Sequence, residues 1–167
     1  MPNRYFLDTS ALLACYLARA PGHAWIRGIC DPASHNTIAI VEITGAELAA
    51  SLHQLTHGGV LRRKTCDSSV AAYWLQVGSR QYRIVPVTSA LVRRAADLCG
   101  MHSLRGYDAV QLAAALTFRD DARTADANSA SAGGTPLGDP IFLAEDKRLS
   151  DAATAEGFAI DNPRSHP

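Results

Sequence analysis

The sequence has no excess of charge of either sign: 16 Lys and Arg offset 16 Asp and Glu over 167 residues. A protein that grips nucleic acid through a broad electrostatic surface carries a surplus of basic side chains, so that mode is excluded and only a local basic contact remains open. Arg62-Arg63-Lys64 and Arg93-Arg94 are the candidate patches, although such runs are more often solvated faces. Cysteine is scarce. Cys15, Cys30, Cys66 and Cys99 match no zinc spacing and sit mostly in apolar stretches, which reads as buried free thiols. No apolar run approaches the ~20 residues of a membrane helix, so no membrane contact is expected. The first apolar run is broken by Asp8 and makes no signal-peptide core. The expected location is the cytoplasm.

What is present is an ordinary globular composition, 47% hydrophobic and 19% charged, with short apolar runs alternating with helical stretches. Tyr5 to Leu7, too short for a helix, reads as a buried strand. Asp8 ends it, Thr9 and Ser10 can cap, and a helix is expected from Ala11 to Ala20. A short helix over His23 to Cys30 is closed by Asp31-Pro32. Thr37 to Val41 is a β-branched strand, followed by a helix from Glu42 to His57 that Gly58-Gly59 ends. Val41, Gly45, Leu48, Leu52 and Leu55 form its core stripe. Further on come a helix over Ser68 to Ser79, a strand over Arg83 to Val87 whose proline suggests an edge, and a helix from Thr88-Ser89 to His102. Tyr107 to Phe118 is a helix apolar all round, hence buried on most sides. Arg119 to Asp139, rich in Asp, Ala, Ser and Gly, reads as a flexible surface loop. Pro140 to Leu143 is a strand, Lys147 to Glu156 an amphipathic helix stopped by Gly157, and Phe158 to Ile160 a last strand. The alternation implies one α/β domain, with four to five mainly parallel strands and right-handed crossovers.

Four acids hold distinctive places in that scheme. Asp8 follows the first strand, Glu47 lies in the helix after the second, Asp108 opens the buried helix, and Asp146 follows the fourth strand. Asp8 and Asp146, both at strand carboxyl ends, face one edge of a parallel sheet. Glu42 falls about 140° from Glu47 on a helical wheel, so only one of them can point at that edge. Carboxylates gathered there repel one another and are costly to desolvate. A hard divalent cation with oxygen ligands, Mg²⁺ or Mn²⁺, resolves the conflict, and the chemistry it implies is phosphodiester hydrolysis. Each acid also has a plainer reading. Asp108 with Gln111 resembles a capping box, Asp146 can cap the helix after it, and Glu47 can be a solvated helix residue. His53 and His57, four apart, permit metal binding, but no third ligand accompanies them and exposed helix positions are expected.

The segments Phe6-Leu7-Asp8-Thr9-Ser10-Ala11-Leu12, Thr44-Gly45-Ala46-Glu47-Leu48, Leu104-Arg105-Gly106-Tyr107-Asp108-Ala109-Val110-Gln111-Leu112-Ala113 and Ala144-Glu145-Asp146-Lys147-Arg148-Leu149 resemble, in order over nearly the whole chain, the PIN-domain family. They are similar in particular to the VapC-type toxins of type II toxin–antitoxin pairs. The resemblance implies a three-layer α/β/α sandwich and a Mg²⁺- or Mn²⁺-dependent endoribonuclease. It makes Asp8, Glu47 and Asp108 the core metal ligands and Asp146 the fourth acid. It also implies a VapB-like antitoxin, operator DNA bound only through that antitoxin, and a homodimer. Thr9 and Ser10 are expected to support the acids, and Arg105, Lys147 and Arg148 to stand near RNA phosphates. Ala144 departs from the family's usual Thr or Ser two residues before the fourth acid, and the 119–139 segment is longer than usual.

Two other readings compete. In a haloacid-dehalogenase-like phosphatase the first strand also ends in Asp, but its general acid belongs two residues later, where this chain has Ser10. A PIN-fold interaction module without catalysis would be marked by the absence of acid-dependent Mn²⁺ binding.

Overall fold

The computed structural model describes residues 2–166. Five strands, Arg4–Leu7 (β1), Thr37–Val41 (β2), Tyr82–Val85 (β3), Ile141–Leu143 (β4) and Ile160–Asp161 (β5), form one sheet in the order β3-β2-β1-β4-β5. Every pairing is parallel. Seven helices alternate with them: Thr9–Leu13 (α1), His23–Cys30 (α2), Thr44–His57 (α3), Arg63–Gly78 (α4), Ser89–His102 (α5), Gly106–Ser131 (α6) and Lys147–Ala155 (α7). Parallel strands need crossovers, and these helices supply them on both faces.

Side chains alternate across a strand with period two, which divides the core in two. Phe6, Ala39, Val41 and Phe142 face α5, α6 and α7, packing against Leu91, Leu98, Leu112 and Leu149. Leu7, Ile38, Ile40 and Leu143 face α1 to α4, meeting Leu12, Ile26, Leu48 and Leu52. The Phe6 and Phe142 rings stack at 5.5 Å across neighbouring strands, an arrangement that contributes beyond area burial. The result is the α/β/α sandwich the sequence implied. β3 is an edge strand, as its following proline suggested.

Two expectations fail. The segment from Arg119 onward is not a loop: α6 continues to Ser131, and only the stretch before Ile141 is irregular. No apolar stripe marks this extension because the helix runs out beyond the sheet, and Ala122 is its last buried residue. Alanine's helix propensity and long-range ion pairs hold it instead. Arg4 grips Asp126 through both guanidinium nitrogens at 2.7 and 2.8 Å, and Asp126 also accepts the Leu137 and Gly138 N–H groups. Conversely, the helix expected to reach Ala20 stops at Leu13. Tertiary contacts override the local preference, since Tyr16 turns inward to bond Gln76 and Tyr82. Smaller differences concern ends: α3 starts at Thr44, α4 at Arg63, β3 ends at Val85 and β5 spans Ile160–Asp161. Val41 of the expected core stripe belongs to β2, and Leu55 is half-buried.

The carboxyl-terminal turn docks on α2. Trp25 stacks on His166 with centroids 3.8 Å apart, and Gly22, at φ +72°, lies under Pro163. A Cβ at Gly22 would meet the Pro163 carbonyl oxygen at 2.0 Å, whereas at Gly59, at φ +73°, it would meet nothing. Left-handed backbone costs an L-residue roughly 1–2 kcal/mol. Gly59→Ala is therefore expected to cost about 1 kcal/mol in urea unfolding, and Gly22→Ala about 2–4 kcal/mol because the turn must also move. Equal losses in the two variants would refute the packing of Pro163 on Gly22.

Candidate active site

β1 lies at the centre of the sheet, with β2 on one side and β4 on the other. The chain leaves β1 toward one flank and later returns to the opposite one, so the connections after β1 and β4 diverge. In open parallel sheets the crevice outside such strand ends is the place where ligands bind. Leu7 pairs with Leu143, and the Asp8 N–H donates to the Leu143 carbonyl at 2.9 Å. The next residues on both strands thus enter the crevice side by side.

Asp8 is the N-cap residue of α1. The Ser10 N–H and Oγ–H donate to its Oδ2 at 3.1 and 2.5 Å. Only 7% of Asp8 is exposed. Burial raises its carboxyl from 3.8 to about 6, with the Glu47 charge adding to the rise and the bonds from Ser10 and the Thr9 backbone opposing it. The Ser10 Oγ also accepts the Glu145 N–H at 3.0 Å, tying the β1–α1 turn to the connection that carries Asp146. Ala144, where the resemblance would place Thr or Ser, is fully buried.

Glu47 stands in the first turn of α3, whose apolar face anchors it through Leu48 and Leu52. Its Oε2 accepts Thr9 Oγ1–H at 2.5 Å and Gln111 Nε2–H at 2.8 Å, and Gln111 also donates to Thr9 Oγ1 at 2.8 Å. Glu42 precedes α3, so the helical wheel that set it against Glu47 does not apply, and its carboxylate accepts the Val87 N–H at 2.9 Å. Gln111 was legible in the sequence only as half of a capping box. That box does not form: Arg105 is the cap residue of α6, and Gln111 reaches across to α1 and α3. A long polar side chain inside an otherwise apolar helix was the signal available.

Asp108 lies one turn before Gln111 in α6. Burial raises its carboxyl above the ordinary value, the Asp146 and Glu47 charges push the same way, and Arg105 and Arg148 pull it back. Asp146 caps α7, accepting the Leu149 N–H on Oδ1 at 2.8 Å. Asp108, Asp146, Arg105, Lys147, Arg148 and Asp151 line an open cleft of about 550 Å³. Lys147 is engaged one turn along its own helix, with Nζ 2.6 Å from Asp151. Asp8 and Glu47 do not line the cleft.

The four acids are thus linked electrostatically from Asp8 to Glu47, from Glu47 to Asp108 and from Asp108 to Asp146. Four carboxylates form a hard, all-oxygen donor set, which suits Mg²⁺ or Mn²⁺. Among the described residues no three Asp, Glu, His or Cys side chains are arranged to enclose an ion, so a cation would have to draw them together. The donor chemistry fits, and Asp108 and Asp146 already line one cleft. The other polar candidates lie outside it. His53 is half-buried rather than exposed, its Nδ1 3.5 Å from Cys66 Sγ. All four cysteines are free, and Cys99 is half-buried. Arg63 and Arg94 pair with Asp67 and Asp120.

A family model for the PIN domain matches residues 5–134. The chain belongs to the PIN-domain family. The matched segment contains Asp8, Glu47 and Asp108 and stops short of Asp146. Among solved structures, this PIN domain is similar to PAE2754 from Pyrobaculum aerophilum, with TM-score 0.59, 15% identity and coverage of 98% of this chain and 85% of that one. It is similar also to VapBC2 from Rickettsia felis, solved bound to a DNA fragment from their promoter, with TM-score 0.55 and 13% identity over 95% and 98% of the chains. A third relative is VapC20 from Mycobacterium tuberculosis, described as a Sarcin-Ricin loop cleaving toxin, with TM-score 0.54 and 19% identity over 98% and 99%. At such identities the likeness speaks for the fold. No curated protein sequence matches the chain. No helix among the described residues is long and apolar enough to cross a membrane.

Proposed function

We propose that this PIN domain is a Mg²⁺- or Mn²⁺-dependent endoribonuclease that acts as the toxin of a toxin–antitoxin pair. The observation that carries the reading is the cleft lined by Asp108 and Asp146 together with Arg105 and Arg148, with Asp8 buried directly after the central strand and Glu47 held by Thr9 and Gln111. A VapC20 described as a Sarcin-Ricin loop cleaving toxin and a VapBC2 bound to promoter DNA, both with this fold, support the choice of substrate and partner.

In this reading Asp8, Glu47 and Asp108 hold the cation, and Asp146 holds it directly or through water. Held by these residues, such a cation would supply Lewis acidity for activating water and for offsetting charge on the phosphate. Arg105 and Arg148, which line the same cleft as Asp108, meet the RNA backbone phosphates. Thr9 and Ser10 orient the acids. Lys147 contributes charge at the cleft wall once its exposed pairing with Asp151 opens, which costs little because such i,i+4 pairs are weak. Net neutrality matches recognition by groove shape and a few contacts rather than by a basic surface. The partners are a VapB-like antitoxin, laying an apolar segment along a groove between helices, operator DNA reached only through it, and a second copy of the chain in a homodimer. The compartment is the cytoplasm.

The test is cleavage of a mixed structured and single-stranded RNA pool by purified protein, with Mn²⁺ or Mg²⁺ and with EDTA. Wild type is expected to cut only with metal, and Asp108→Asn is expected to lose roughly a hundredfold or more in rate, since it removes a ligand rather than a ligand's support. Cleavage undiminished in EDTA and in Asp108→Asn would overturn the proposal. Mn²⁺ calorimetry separates the remaining alternative: a non-catalytic interaction module shows no binding that depends on the acids.

A further inference from the structure

Gln111 sits where an aliphatic residue would be expected. It is 1% exposed, on a helix buried at every position from Gln111 to Leu116. Its Nε2 is engaged twice, with Thr9 Oγ1 and Glu47 Oε2, each at 2.8 Å. Its Oε1 is a buried acceptor with no partner among the described residues. A half-satisfied buried amide is costly to keep, and a leucine would avoid that cost, so the donated bonds have a purpose beyond packing. The amide orientation follows from charge. Turned over, Oε1 would face the Glu47 carboxylate, which only a donor can satisfy.

The bonds fall asymmetrically on Glu47. Thr9 Oγ1 and Gln111 Nε2 both address Oε2, and no described side chain or backbone group donates to Oε1. A carboxylate with one oxygen held by the protein and the other left open is the arrangement that supporting hydrogen bonds give to a metal ligand. Asp146 shows the same division, with Oδ1 held by the Leu149 N–H. The three bonds join three helices. α1 supplies Thr9, α3 supplies Glu47, and α6 supplies Gln111 from the turn after Asp108.

We propose that Gln111 is a positioning residue for Glu47: with Thr9 it commits Oε2 to the protein, fixes the rotamer and reserves Oε1 for the cation. The proposal rests on the metal-dependent reading above, and it adds that the affinity of the site is set from inside α6 by a residue that touches neither cation nor RNA. Gln111 also couples two ligands, because it shares a helix turn with Asp108 and a hydrogen bond with Glu47. A shift of α6 that moves Asp108 therefore moves the hold on Glu47 as well.

The experiment is Mn²⁺ binding to the full chain by calorimetry, with the metal alone as probe, and urea unfolding without metal as the folding control. Gln111→Leu keeps the volume and removes the donor, Thr9→Val does the same at the other donor, and Thr9→Ser restores the hydroxyl. Gln111→Leu and Thr9→Val are each expected to weaken Mn²⁺ by about 10- to 100-fold, while Thr9→Ser stays within about threefold. In a Glu47→Ala background, Gln111→Leu is expected to have no further effect, because a residue acting through Glu47 has nothing left to position. A purely structural Gln111 would weaken binding equally in both backgrounds. Wild-type Mn²⁺ binding with unchanged affinity in Gln111→Leu overturns this proposal and leaves the nuclease reading standing. Absence of Mn²⁺ binding in wild type overturns both. If Gln111→Leu fails the unfolding control, the Thr9→Val and Thr9→Ser pair decides on the same criterion.

Discussion

Asp8→Asn is expected to abolish metal-dependent RNA cleavage, by about a thousandfold or more, in a protein that still folds. The large factor follows from the double role of the position. Asp8 directly follows the central strand and is almost fully buried, so in the proposed site its carboxylate is a firmly fixed ligand. Removing a preorganised group that acts directly on the reacting centre typically costs about 10²–10⁴-fold or more. The fold survives because asparagine retains the acceptor oxygen. The Ser10 N–H and Oγ–H can still donate to it, and Asn is as good a helix cap as Asp. The measurement is single-turnover cleavage with Mn²⁺ alongside circular dichroism. Activity within tenfold of wild type would remove Asp8 from the proposed ligand set. Loss of the folded spectrum would instead make the cap, and not the site, its main role.

The same substitution is expected to stabilise the metal-free protein above about pH 6. The Asp8 carboxyl is raised from 3.8 to about 6 in the folded state, so the folded protein holds this proton more tightly than the unfolded chain does. As pH rises from about 4 to 6, the unfolded chain releases its proton while the native state still retains it. Stability therefore falls across that window, and the whole loss is present above about pH 6. A rise of this size corresponds to roughly 3 kcal/mol. Asp108 is displaced in the same direction, for the same first reason, burial. An asparagine side chain in place of Asp8 has no proton to lose. The gain of Asp8→Asn over wild type in urea unfolding, with chelator present, is thus expected to grow from near zero at about pH 4 to about 2–3 kcal/mol at about pH 7. Parallel stability curves for the two proteins would show that burial does not strain this carboxylate. Together the two expectations describe a trade in which a strained acid is kept because the site needs it.

Much of this was legible from local pattern. The short strand ending at Asp8, the spans of α2 and β2, the Thr88 cap of α5 and the buried α6 core all follow from hydrophobic period and capping chemistry. These signals are carried by neighbours in sequence. The long α6 extension was not legible, because its stabilising partners are Arg4, Arg83 and Arg94, far away along the chain. The early end of α1 was hidden for a similar reason, since Tyr16 gives up helical continuation for Gln76 and Tyr82.

The site divides along the same line. Local pattern was enough to pick out the acids and to show that Asp8 and Asp146 leave parallel strands at one edge, because strand ends and caps are local features with a fixed direction. How those acids are held depends on long-range packing. Ser10 bridges Asp8 to the Asp146 connection, and Gln111 reaches Glu47 across a sequence separation of 64 residues. Hydrogen bonds between side chains of different helices have no periodicity to betray them. They exist only once the two faces of the sheet have packed and set the distance between α1, α3 and α6.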